Sequence, residues 1–179
     1  MKATTLINTA SMYRGRSISR ADSVATALRQ IGILPKGGRG MNAPALTALE
    51  VAAFLLTFSS VEKVEDVPQL VSLLQAMVDS DGNRIVPTVA ALIEDVAAAY
   101  AVRRILVMPN TPMVEIERSD GESQRFFLPD EWVPGFVPSA QGEAFVGQIG
   151  LIGGAVFHQI AIDFGSNYDE QVATIVGDA

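Results

Sequence analysis

Seven cations, Lys2, Arg14, Arg16, Arg20, Arg29, Lys36 and Arg39, fall within the first forty residues against a single carboxylate, Asp22, so this stretch carries +6. The remaining residues hold six cations and nineteen carboxylates, or −13, and the formal charge of −7 for the 179-residue chain hides the division. Attraction to phosphate follows local cation density rather than net charge, so a basic segment on an acidic body is the pattern of a polyanion-binding protein. The bland alternative is a solvated basic face with no ligand. Ser23, Thr26 and Gln30 are interleaved with these cations and can hydrogen-bond to base edges, while Arg14, Arg16, Arg20, Arg29, Lys36 and Arg39 supply salt-dependent phosphate contacts.

Catalytic patterns are sparse beside this. The chain has no cysteine and one histidine, His158, set between Phe157 and Gln159 in an apolar segment, where a hydrogen-bonded structural histidine is expected. No GxSxG nucleophile elbow occurs, and zinc would need an unusual dependence on carboxylates. Three acidic sets, Glu62/Glu65/Asp66, Glu94/Asp95 and Asp130/Glu131, have Mg²⁺ or acid–base chemistry open to them only if they converge. Taken singly, they read as a helix start, the wet side of a helix and the opening of a proline-rich turn; Trp132 and Phe136 are expected to anchor that turn. The glycine-rich run KGGRG, residues 36–40, departs from the GxxxxGK[ST] pattern and follows a helix rather than a strand, which argues against a nucleotide loop. No catalytic residue, metal or cofactor is expected.

The elements that must position the basic residues are helical. Leu6, Ile7 and Ala10 mark a short first helix capped by Thr4 or Thr5. In ISRADSVATALRQIG, Ser19 is the expected N-cap, Ala21, Val24, Ala25, Leu28 and Ile31 form the apolar stripe, and Gly32 is the stop. Arg20 and Arg29 lie off that stripe. Thr47 with Glu50 makes a capping box for TALEVAAFLLTF; the apolar tract that contains it, Ala45 to Phe58, is too short for a bilayer, which needs about 20 apolar residues. Asp66-Val67-Pro68 opens another helix, the turn SDGN ends it, and Pro87-Thr88 introduces a helix expected to reach Ala101. From Arg103 the character changes to short β-prone runs, RILVMP, MVEIER and SQRFFLP, with a hairpin at SDGE and a strand followed by a short helix within residues 143–165.

The expected fold is therefore α+β: an amino-terminal helix-turn-helix, central helices and a small antiparallel β region. Gly32-Ile33-Leu34-Pro35, the basic glycine-bearing turn Lys36 to Gly40 and the helix from Thr47 together resemble the winged helix-turn-helix class, in particular regulators like the mercury-resistance repressor family. In order of parts, with residues 1–58, 64–101 and 103–165, the chain is also similar to bacteriophage small terminase subunits. These resemblances imply a DNA-binding region over residues 1–60 and a helical, oligomerising, β-containing body over 61–179. They further imply a non-enzymatic homo-oligomer that binds double-stranded viral DNA and presents it to a packaging ATPase/nuclease. A winged helix-turn-helix transcriptional regulator and a structural or adaptor protein without DNA are the alternatives. The absence of a secretory pattern leads to an expected cytoplasmic location, that of the bacterial host if the protein is viral.

Overall fold

The structure, a computed structural model, describes residues 1–14, 17–36, 43–109, 112–129 and 150–165, with the side chains of residues 13 and 14 left aside. It is mixed α+β, as expected from the sequence, with seven α-helices and a four-stranded antiparallel sheet among the described residues.

The centre is α3 (Ala48–Ser60), whose sequence is apolar on every side and which is accordingly buried all round from Val51 to Ser60. Its start is the expected capping box: Thr47 Oγ1 accepts from Glu50 N–H at 3.3 Å, and the Glu50 carboxylate accepts from Thr47 N–H at 2.6 Å. Phe54 and Phe58 stack at 5.5 Å one helical turn apart. The hydroxyls of Ser59 and Ser60 at the buried carboxyl end both donate back to the Leu56 carbonyl.

Around α3 lie α2 (Ile18–Gln30), α4 (Val67–Ala76) and α5 (Ile85–Glu94), with α1 (Ala3–Arg14) packed on α2. A single 3-10 turn, Val64–Asp66, leads into α4, and Pro68 sits at its first turn, where no backbone donor is required. The helix expected to run from Pro87 to Ala101 is two helices. α5 stops at Glu94, and Asp95 caps α6 (Val96–Tyr100) by accepting the Ala98 N–H at 3.0 Å. The apolar spacing Val89, Leu92, Ile93, Val96, Tyr100 passes through this break unaltered, which is why periodicity alone joins the two. Beyond it Tyr100 is 56% exposed. Asp95 is thus a cap rather than a member of a wet helix face.

The sheet follows as β1 (Val102–Met108), β2 (Met113–Arg118), β3 (Ser123–Phe127) and β4 (Gly150–Gly153), in spatial order β3-β2-β1-β4. The β2–β3 hairpin turns at SDGE as expected. One sheet face, Ile105, Val107, Val114, Ile116, Phe126 and Ile152, is buried against the helices. An irregularity between Val102 and Arg104 breaks the alternation, and both Arg103 and Arg104 reach the Glu117 carboxylate on the outer face. Arg125 pairs with Glu115 at 3.0 Å on the same face.

β4 passes directly into α7 (Gly154–Gly165). Gly154 allows this because a Cβ there would lie 2.6 Å from the Val102 carbonyl oxygen and 2.9 Å from that of Arg103. α7 packs on β1, α5, α6 and α1, and the Thr9 hydroxyl of α1 donates to the Asp163 carboxylate at 3.0 Å. The hydrophobic core runs across residue 60 without a break, with members from Met1 to Ala161.

Candidate nucleic-acid interface

α2 begins two residues earlier than its sequence suggests. Ser17, not Ser19, is the N-cap, its Oγ accepting the Arg20 N–H at 3.3 Å. Ser19 lies inside the helix, where its carbonyl accepts the Ser23 hydroxyl at 2.8 Å. At the other end Gly32, at φ +79°, closes the helix with paired bonds: Ile33 N–H to the Leu28 carbonyl at 2.9 Å and Gly32 N–H to that of Arg29 at 3.2 Å. This turn buries Leu34 and leaves Lys36 exposed.

The buried stripe of α2 is Ala21, Val24, Ala25, Ala27 and Leu28. Asp22, Thr26 and Gln30, spaced by four, form its exposed stripe. The two ends of that stripe differ in charge. Asp22 places a carboxylate near the amino-terminal end, while Arg29 stands in the last turn and Lys36 follows the closing turn. Neither Arg29 nor Lys36 forms an ion pair among the described residues. Arg29 also complements the negative end of the helix dipole, a role it would have in any surface helix.

Arg20 does not face outward with these groups. Its guanidinium donates to the Val61 carbonyl at 2.9 Å and to the Glu62 carbonyl, at the carboxyl end of α3. Both carbonyls belong to the residues that follow Ser60, the last of α3, and the planar guanidinium fork donates to the two at once. Arg20 is therefore a brace between α2 and α3. Ser23 is half-buried, with its hydroxyl taken up by its own helix. Arg14 is the last residue of α1, while Arg16 and, of the expected wing Lys36 to Gly40, Arg39 and every other residue after Lys36 lie outside the described residues. Of the described residues on either side, Leu34 is buried, Ala45 bridges to Lys2, and Leu46 N–H donates to the Met1 carbonyl at 2.8 Å.

A cleft of about 450 Å³ opens beside the carboxyl end of α2, between Gly32 and Ile33, Leu49 and Glu50 of α3, and Arg84 at the start of α5. Arg84 has no part in the basic segment of the sequence. Tertiary packing alone brings its exposed side chain to this cleft, and no local pattern around it signals the fact.

Among the remaining candidates, His158 has structural partners. The His158 imidazole is half-buried, with Nε2 3.0 Å from the Val102 carbonyl oxygen and its ring packed on Tyr100 at 4.7 Å. Glu65 and Asp66 occupy the first turn of the 3-10 helix, and Asp130/Glu131, with Trp132 and Phe136, lie outside the described residues. No group of three or more His, Cys, Asp or Glu side chains suited to a metal occurs among the described residues. Asp79, immediately before the SDGN turn, instead organises that turn. It accepts the N–H groups of Asp81 and Asn83, the Asn83 side-chain amide at 2.9 Å and the Gln124 amide of β3 at 2.7 Å. These donors, led by the Asn83 side chain, hold its carboxyl down at about 2. Arg104, with Arg103, likewise holds the Glu117 carboxyl below the usual range.

No helix among the described residues is long and apolar enough to cross a membrane. Comparison of the chain with protein-family models, with curated proteins and with solved structures gives no match.

Proposed function

We propose that this protein binds double-stranded DNA, without catalysis, through the carboxyl-terminal end of α2 and the basic loop that follows. The observation that carries the reading is the pair Arg29, half-buried, and Lys36, exposed, neither in an ion pair among the described residues, with the exposed Thr26 and Gln30 near the end of a helix packed against α1, α3 and α4. Phosphate contacts position a protein on a duplex, and side chains such as Thr and Gln can then reach base edges. The duplex approaches the carboxyl-terminal half of α2 because Asp22 repels phosphate at the other end and Arg20 is committed to α3. This differs from the usual helix-turn-helix arrangement, in which the first turns of the recognition helix enter the groove.

The acidic body discourages wrapping by DNA and leaves the basic end as the contact. Recognition of viral DNA for a packaging ATPase/nuclease, in the manner of small terminase subunits, is the setting proposed, with the order of helical region followed by antiparallel sheet in its favour. The test is duplex binding by fluorescence anisotropy across a salt series, joined to solution mass. Arg29→Ala/Lys36→Ala is expected to lower the magnitude of the log K against log salt slope by about 1.8, at about 0.9 per phosphate contact. Absence of duplex binding by the native protein at low salt refutes the proposal. A ring-sized assembly supports packaging, and a dimer on a palindromic site supports regulation.

A further inference from the structure

Six cations lie outside the basic segment, Lys63, Arg84, Arg103, Arg104, Arg118 and Arg125. Their surroundings separate them. Arg103 and Arg104 are paired with Glu117, and Arg125 with Glu115, on the outer face of the sheet. Arg118 lines a groove beside β3 together with Asp79, Asp81 and Glu122. Lys63 follows Glu62 and precedes Glu65. Arg84 alone of the six lines the cleft at the end of α2, with Gly32 and Ile33 across from it. It is exposed and forms no ion pair among the described residues.

The backbone of Arg84 is pinned on both sides. It bridges to Val78, and its carbonyl accepts both the N–H and the hydroxyl of Thr88 in the first turn of α5. The side chain therefore leaves from a fixed point, and the amino-terminal end of α5 beneath it adds the positive end of a helix dipole in the same sense. The carboxylate that shares the cleft, Glu50, is turned back onto the Thr47 N–H at 2.6 Å and serves α3.

We infer that Arg84 is a phosphate-contacting residue of the same duplex interface, extending it from the end of α2 across the cleft to the start of α5. The inference rests on the DNA-binding reading above. It makes the interface a composite of two stretches far apart in sequence, so its footprint spans the cleft rather than following one helix. A guanidinium in this place contributes one further phosphate contact and hence one further unit of counterion release.

The experiment compares Arg84→Gln, Arg84→Lys, Lys36→Gln and Arg118→Gln with the native protein on a labelled mixed-sequence duplex across a salt series, after thermal unfolding has shown each to be folded. Arg84→Gln is expected to lower the magnitude of the salt slope by about 0.9, the same as Lys36→Gln, while Arg84→Lys retains the native slope and Arg118→Gln, which removes the same charge elsewhere, leaves it unchanged. An unaltered slope in Arg84→Gln, with the expected fall in Lys36→Gln, overturns the assignment of Arg84 and leaves the DNA-binding reading standing. An equal fall in Arg118→Gln overturns it too, since net charge alone would then account for the effect. No binding by the native protein at low salt overturns both.

Discussion

Removing the Arg20 guanidinium separates bracing from phosphate binding, because the two roles act on different observables. The fork donates to two carbonyls at the end of α3, one partly buried at 2.9 Å and one exposed. A hydrogen bond from a charged donor contributes about 1.5–3 kcal/mol when it is well buried, and exposure reduces this, so about 1 kcal/mol for each is a reasonable value here. Arg20→Ala is then expected to cost about 2 kcal/mol. For a chain of this size each kcal/mol lowers Tm by roughly 2–4 °C, which gives a fall of about 4–8 °C in a thermal melt followed by circular dichroism. Arg20→Lys can satisfy one carbonyl but not both in the same plane, and is expected to recover about half of the loss. Neither variant should alter the salt slope of duplex binding. A native Tm in Arg20→Ala, accompanied by a slope reduced by about 0.9, would show that the guanidinium faces phosphate and would refute the bracing role.

Two other expectations test the frame that holds the interface. Gly154→Ala drives a Cβ against two backbone carbonyls of β1 and should cost about 3 kcal/mol, whereas Gly153→Ala, with nothing within 4 Å of the added carbon, should change stability by less than about 0.5 kcal/mol; equal urea midpoints for the two would contradict the seating of α7 on β1. Asp79 titrates at about 2 when folded against 3.8 ordinarily, so between these values the unfolded chain takes up a proton that the folded chain does not. Its contribution is complete above about pH 4 and is lost as pH falls toward 2; Asp79→Asn should be less stable at neutral pH and show a flatter acid limb in urea titrations over that window.

Where a single residue type performs a local task, the chain announces it. Thr47 and Glu50 reveal the start of α3 because a capping box involves only residues three apart, and Gly32 reveals the end of α2 because its left-handed conformation is needed within one turn. The β2–β3 hairpin is legible for the same reason. The candidate interface is partly legible: the charge division, the exposure of Thr26 and Gln30 and the placement of Lys36 after a closing turn all follow from local order.

What local order leaves open is which partner a side chain chooses among groups distant in the sequence. Asp95 fits a wet helix position and a helix cap equally well, and only the chain's turn toward the sheet makes it a cap. Arg20 and Arg29 look alike on a helical wheel, yet one meets the carbonyls at the end of α3 and the other has no such acceptor among the described residues. Arg84 stands in an acidic stretch and reaches the basic end only through the packing of α5 against α3. By itself the sequence determined the capping box that starts α3, the Gly32 stop of α2 and the imbalance of charge, since these depend on neighbours within a few residues. The tertiary structure decided which cations are paired among the described residues, because that depends on the acceptors folding brings within hydrogen-bond reach.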